Sequence, residues 1–271
     1  MIGIVQGRLT YSGKTLQSFP KNPYKEFKLA ALAKIDFIEF FAERKINKLN
    51  PIWSNKGINE YKKHAKENKI KIYSFVDDYF ISHKISEKKS LSYALKMIKR
   101  VSLLGVKKYA IPLYKKSTVD EENLEMVAAN LKKISQKSSK YKIQLLIESN
   151  MSVDMFKKLK KRVVSQNLFF LYDTGNRCLI KKNFFSDILL FGKSIKHVHL
   201  KDRNSSFKNV IIGEGIVNFK SIFKNLKNIG YKQNFTIESR RGKNIIQNAA
   251  NIKKYFQKLE KTLHNVQNNK L

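Results

Sequence analysis

Short apolar runs alternate along this chain with longer stretches in which apolar residues return at every third or fourth position. The first pattern suits buried strands and the second suits helices with one apolar face. Strands are predicted near Ile2–Gln6, Phe37–Phe40, Ile70–Phe75, Lys108–Ile111, Gln144–Ile147, Leu168–Tyr172, Ile195–Leu200 and Asn234–Ile237. Helices are predicted around Lys25–Leu32, Asn59–Asn68, Lys88–Leu104, Glu121–Ser139, Val153–Val164, Phe184–Phe191, Phe219–Ile229 and Lys243–Leu263. Strand and helix alternate from end to end over 271 residues, which predicts an α/β protein, a single-domain (β/α)₈ TIM barrel rather than a doubly wound open sheet. Residues 1–263 form the expected barrel, and residues 264–271 a polar tail expected to fray. No glycine-rich dinucleotide or P-loop pattern follows any strand.

Composition narrows the partners. No apolar run approaches the roughly 20 residues that span a bilayer, so no membrane span is expected. The first strand begins at once, without a basic leader and an apolar stretch, and a cytoplasmic location is the expectation. A lone cysteine, Cys178, excludes an internal disulfide framework and a cysteine-based zinc finger. The formal charge of +34 would ordinarily place nucleic acid first among partners. Only eight of the 55 basic residues are Arg, however, and the Lys recurs in pairs along the exposed sides of helices. That distribution reads as a solvated surface rather than a phosphate-recognition face, and argues against nucleic acid. A homo-oligomer is left open.

With 21 acidic residues in the chain, acids that follow apolar strands stand out. In a barrel of this kind the C-terminal strand ends converge on one mouth. Four late strands end in Leu145-Leu146-Ile147-Glu148, Phe170-Leu171-Tyr172-Asp173, His197-Val198-His199-Leu200 and Phe235-Thr236-Ile237-Glu238. Three carboxylates and an imidazole gathered there repel and are costly to desolvate unless a divalent cation joins them. Oxygen donors with one nitrogen suit Mn, Mg, Co or Zn. Strand alternation puts His197, His199 and Lys201 on one face, so either imidazole serves as the ligand. His199 is nearer the mouth, with His197 behind it as a core histidine or a substrate contact.

At these residues the chain resembles the xylose-isomerase-like TIM-barrel superfamily of sugar and sugar-phosphate isomerases and epimerases. The likeness runs through Gly3-Ile4-Val5-Gln6-Gly7-Arg8-Leu9, Gln17-Ser18-Phe19-Pro20, Ile38-Glu39-Phe40 and Asn50-Pro51. It continues in Asp173-Thr174-Gly175-Asn176, His197-Val198-His199-Leu200-Lys201-Asp202, Gly213-Glu214-Gly215 and Glu238-Ser239-Arg240-Arg241-Gly242. The resemblance implies one divalent metal ion held by Glu148, Asp173, His199 and Glu238. It also implies carbohydrate metabolism: isomerisation or epimerisation of a sugar or sugar phosphate through a metal-bound enediolate, with Glu148 and Glu238 as the acid and base. Gln6, Arg8, Glu39, Asn176, His197, Lys201, Asp202, Arg203 and Arg240 are the expected substrate contacts. Ketose 3-epimerases of the superfamily commonly carry D-x-x-H where this chain has Asp173-Thr174-Gly175-Asn176. Their substrate-contacting His is therefore Asn176 here, which argues against a straightforward ketose 3-epimerase. The same replacement, with Asp77-Asp78 where a metal-binding His is expected, counts against the competing reading, a metal-dependent endonuclease acting on abasic DNA. A sugar-binding barrel without turnover is the third reading.

Overall fold

Most strands of this chain are apolar on both faces, the condition for a sheet filled inside and covered by helices outside. The computed structural model describes residues 1–10, 18–180 and 184–268; Gln17 and the last three residues of the expected tail lie outside them. The strands are β1 (Ile2–Val5), β2 (Phe37–Ala42), β3 (Lys71–Asp77), β4 (Lys108–Pro112), β5 (Gln144–Glu148), β6 (Leu168–Asp173) and β7 (Ile195–Leu200). A small antiparallel ribbon, β8 (Asp202–Arg203) with β9 (Asn209–Val210), precedes β10 (Phe235–Ile237). β1 to β7 and β10 close into a parallel barrel, because β1 pairs with both β2 and β10.

Two apolar clusters follow from strand alternation. Ile4, Ile38, Phe40, Phe75, Tyr109, Ile111, Leu145, Ile147, Phe170 and Val198 pack outward against the helices. Val5, Phe41, Val76, Ala110, Leu146 and Leu171 form a separate cluster inside the ring. Two residues beyond these inward positions, alternation turns the next side chain into the barrel mouth: Glu43, Asp78, Pro112, Glu148 and Asp173. The apolar plug is thus the floor on which the polar mouth stands.

The helices are set by local chemistry. Ser54 Oγ accepts the Gly57 N–H (2.9 Å), so the second major helix runs Asn55–Glu67, one turn earlier than predicted. Ser152 caps Val153–Val163 and Asn218 caps Phe219–Asn228 in the same way. The predicted helix Phe184–Phe191 divides into a 3₁₀ turn, Phe184–Ser186, and a short helix, Asp187–Phe191. The terminal helix Ile245–Asn268 continues through much of the expected tail, because Asn and Gln are compatible with a helical backbone. No helix among the described residues is long and apolar enough to cross a membrane.

At the end of β3, the carboxylate of Asp77 is fully buried between barrel and helix. Tyr109 Oη donates to its Oδ2 (2.5 Å), and Tyr93 Oη to its Oδ1 (3.1 Å). Burial outweighs these donors and pushes Asp77 up to about 7 from an ordinary 3.8. A carboxyl raised on folding contributes stability at low pH that is lost as pH rises through its folded value. The stability of the native chain relative to Asp77→Asn, which keeps an acceptor for the tyrosines, is therefore expected to fall between pH about 4 and about 7. Urea unfolding midpoints of both proteins at the two ends of that window check it; parallel profiles contradict the assignment.

Candidate active site

The barrel mouth opens into a cavity of about 960 Å³. Glu148 and Asp173 are the last residues of β5 and β6, His199 lies in β7, and Glu238 directly follows β10. The Glu238 N–H donates to Leu200 O at 2.9 Å, which extends the parallel ladder by one step and fixes where this carboxylate stands. The four side chains do converge. His199 Nδ1 is 3.0 Å from Glu238 Oε2, 3.9 Å from Glu148 Oε2 and 4.0 Å from Asp173 Oδ2. Lys201 Nζ lies between two of the acids, 2.6 Å from Glu238 Oε1 and 3.3 Å from Asp173 Oδ2. Its stem runs against Gly175, where an added Cβ would come 2.6 Å from Lys201 Cγ. Glycine there keeps the ammonium inside the cluster.

This donor set fits a divalent cation. Both ring nitrogens of His199 are buried and neither meets hydrogen-bond geometry with a protein group: Nδ1 faces the three acids, and Nε2 on the far side of the ring lies 2.7 Å from Glu39 Oε1. A ligating imidazole needs this arrangement, one nitrogen turned to the ion and the other held by a carboxylate. Ligand atoms of Glu148, Asp173 and His199 lie within 4.8 Å of one another, whereas Glu238 reaches this group through His199 Nδ1, 3.0 Å from its Oε2. Three carboxylates outnumber the Lys201 ammonium and the Arg8 guanidinium beside Glu238, which favours a further cation. Glu39, His197 and His199 form a second group of the same kind. It is sealed below the mouth, with Glu39 and His197 both at 0% exposure.

Glu148 is held by its other oxygen. Tyr114 Oη and Asn176 Nδ2 both donate to Glu148 Oε1, at 3.1 and 3.0 Å. Arg203 Nη2 in turn donates to Asn176 Oδ1 at 2.7 Å. The Asn176 N–H donates to Asp173 Oδ1 (2.7 Å), closing the turn that starts the short helix Thr174–Arg177. Oε2 of Glu148 is left facing His199 and the cavity.

The electrostatics differ from one acid to the next. Burial pushes Glu148 up to about 8, with the neighbouring charges of Asp173 and Glu238 adding to burial against the pull of His199. Burial acts on Glu238 in the same direction, yet Lys201, His199 and Arg8 overcome it and hold that carboxyl well below its ordinary range. Burial disfavours a charged His199, but Glu39, Glu238 and Glu148 reverse this and raise it well above its usual value. His197 goes the other way: burial lowers it to about 4 despite Glu39, so it is neutral near pH 7.

The cavity wall includes Glu148, Glu238, Asn176, Lys201 and Arg203 from the sequence reading. Arg8 is buried and touches Glu238, with Nη2 3.5 Å from Oε1. Five expected substrate contacts stand elsewhere. Gln6 is buried and donates to Tyr61 Oη at 3.0 Å. Glu39 and His197 lie beneath the site, where His197 Nε2 is 2.8 Å from Thr236 Oγ1 and 3.0 Å from Glu39 Oε2. The Asp202 carboxylate accepts the N–H groups of Gly213, Gly215 and Val217 and so shapes the loop after the ribbon. Arg240 is exposed and outside the cavity wall. Cys178 donates to Gly175 O, and burial raises its thiol to about 11, so it is no nucleophile. His64 and His83 also lie outside the wall.

Among the wall residues beyond the expected site are Asp78, Tyr114 and Asn209. The first two follow apolar strands and obey the same strand-end rule that found Glu148. Asn209 reaches the cavity only through the fold-back of the ribbon, and its buried Oδ1 meets no protein donor.

Comparison with known proteins agrees with this architecture. The chain aligns at 29% identity over 103 residues with an uncharacterised protein of Methanocaldococcus jannaschii, covering 37% of this chain and 35% of that relative's length. Among solved structures, an L-ribulose 3-epimerase superposes with a TM-score of 0.80 at 16% identity, covering 98% of this chain and 96% of the other. A D-tagatose 3-epimerase-like protein gives 0.76 at 19% identity, with 97% and 98% covered. The D-psicose 3-epimerase of Clostridium cellulolyticum H10, solved with D-tagatose, gives 0.71 at 18%, with 92% and 88% covered. At these identities the likeness speaks for the fold. The family model described as xylose isomerase-like TIM barrel matches residues 27–261, and the chain belongs to that family.

Proposed function

We propose that this protein is a divalent-metal-dependent isomerase or epimerase of a sugar. One observation carries the reading: buried His199 turns Nδ1 to the carboxylates of Glu148, Asp173 and Glu238, at 3.9, 4.0 and 3.0 Å, and two of these acids, Glu148 and Glu238, line an open cavity. Structural likeness to three sugar 3-epimerases or epimerase-like proteins supports the choice of substrate. Glu148, Asp173, His199 and Glu238 would hold the ion, which when bound supplies Lewis-acid polarisation of a carbonyl oxygen.

The proton is moved by this chain's own carboxylates. Glu148 and Glu238 reach the cavity from strands separated by β6 and β7, so a sugar between them presents a different face to each. One carboxylate takes the proton from the carbon beside the carbonyl, breaking its C–H bond. Return of a proton to that carbon from the other face inverts it, and return to the neighbouring carbon isomerises the sugar. Lys201 and Arg8 keep Glu238 ionised, as a base requires. Tyr114 and Asn176 hold Glu148 in position through Oε1.

With Mn²⁺ and a panel of ketopentoses and ketohexoses, the protein is expected to exchange a substrate C–H with solvent deuterium, and excess EDTA to abolish this exchange. Glu148→Gln and Glu238→Gln are each expected to slow it by about 10²–10⁴-fold. Full exchange in either variant contradicts the two-carboxylate assignment. Tyr114→Phe removes one of two donors to Glu148 Oε1 and is expected to lower kcat about fivefold, at a cost near 1 kcal/mol, with the unfolding temperature nearly unchanged. Steady-state kinetics beside a thermal melt separate this from loss of fold.

A further inference from the structure

We propose that Asp78 is a substrate-binding residue of this site, the hydrogen-bond partner of a sugar hydroxyl that the metal ligands do not reach, and so a determinant of which sugar fits; this deepens the sugar isomerase or epimerase reading and rests on it. Asp78 directly follows β3 and lines the same cavity as Glu148 and Glu238. In the closed ring β3 stands opposite β7, four strands away in either direction. Glu148, Asp173, His199 and Glu238 come from the half made by β5, β6, β7 and β10. A sugar seated against them turns its far side to the half made by β1 to β4.

What singles out Asp78 is that the fold gives it nothing to hold. Its neighbour Asp77 faces outward and takes hydrogen bonds from Tyr109 and Tyr93. Asp78 faces inward at 4% exposure, and among the described residues its carboxyl takes no hydrogen bond and forms no ion pair. It does not even cap the short helix Tyr79–Ser82 that begins beside it. Its direction is nevertheless fixed, because the Asp78 N–H donates to Ala42 O and its carbonyl accepts the Ile81 N–H, both at 3.0 Å. The other acid of the wall on this half, Glu43, is committed to Asn47 and Asn50. A buried polar group without a partner is costly, and one held against a cavity is a place for a group of the ligand.

The surrounding charges say which group. Burial pushes Asp78 up to about 7, with Glu238 adding to burial against Arg44, Lys201 and Arg8. An ammonium arriving here meets those three cations, and an anion meets the two carboxyls. A second metal ion lacks ligands, since neither metal-capable group among the described residues includes Asp78. A neutral hydroxyl suits both forms of the acid: it donates to the carboxylate and accepts from the protonated carboxyl. Asn209 supplies an independent sign. It joins the wall from the ribbon that follows β7, and its buried Oδ1 also meets no donor. Two acceptors left open in one cavity call for a ligand with several O–H donors, which a sugar provides.

Calorimetric binding of D-fructose, D-tagatose, D-psicose and L-ribulose, each with Mn²⁺, identifies the ketose that the native chain binds best, and the monodeoxy analogues of that ketose are the probes. One analogue is expected to bind the native chain about 10- to 100-fold more weakly than its parent. In Asp78→Ala that gap is expected to close, with parent and analogue both bound at the weak level, whereas Asp78→Asn, which still hydrogen-bonds, keeps most of it. The melting temperature of Asp78→Ala without sugar is expected to rise, because an unpartnered buried acid is gone. An undiminished gap in Asp78→Ala, no gap for any analogue, or a fall in its melting temperature overturns the proposal. Deuterium exchange separates this from the reading beneath it. Exchange on the ketose, with any of those three results, leaves the isomerase reading standing. A gap that depends on Asp78, with no exchange on any sugar, keeps Asp78 as a binding residue and removes the turnover. No ketose bound at all overturns both.

Discussion

A buried carboxylate is costly unless something nearby carries the opposite charge or donates to it, and this protein gathers several of its few acids at one end of a barrel. Glu39 is the lowest of them, with no exposure at all. Burial alone would raise its carboxyl, but His199 and His197 overcome that and keep it far below the usual range. In return Glu39 fixes both rings: His197 becomes a neutral strut between Glu39 and Thr236, and His199 turns its second nitrogen up to the mouth. Glu148, Asp173 and Glu238 then stand around that nitrogen with Lys201 and Arg8 as counter-charges. Each level of the stack is tolerable only because the level beneath it is oriented.

The barrel provides that order through strand alternation and little else. Val76, Leu146 and Leu171 belong to the inner plug, and the next inward residues on the same strands are Asp78, Glu148 and Asp173. A one-residue slip in any of these strands would turn an acid out among the helices and an apolar residue into the mouth. The ladder partners, such as Pro112 with Glu148 and Asp173 with His199, hold the registers that prevent it.

This is also why so much was legible in the sequence. Apolar strands that end in a carboxylate announce both the barrel and its rim: Glu148, Asp173 and His199 lie within 4.8 Å of one another, and Glu238 stands against His199. Asp78 and Tyr114 obey the same rule after β3 and β4, and only the inward register of those strands separates them from their outward neighbours Asp77 and Leu113. Other differences have no local signal. Asp202 reads like a site acid beside His199 and Lys201, but its neighbours across the loop are three backbone N–H groups that sequence distance hides. Gln6 and Glu39 stand at strand ends like true rim residues. Their partners, Tyr61 and the two histidines, come from other units of the barrel, and only the closed ring shows that they lie below the mouth.

The departure at Asn176 has a structural counterpart. An imidazole at this position could contact a substrate and exchange protons. Asn176 can do neither at once with its present bonds: its amide donates to Glu148 Oε1 and its carbonyl accepts from Arg203. The position is thus committed to bracing the acid. Groups of the cavity wall that keep hydrogen-bonding capacity include the Oδ1 of Asn209 and the Tyr114 hydroxyl. Glu148, braced by neutral donors, is then easy to protonate, whereas Glu238, gripped by Lys201 and Arg8, stays ionised. Two chemically identical side chains become an unequal pair because their surroundings push them apart, burial raising one and fixed cations lowering the other.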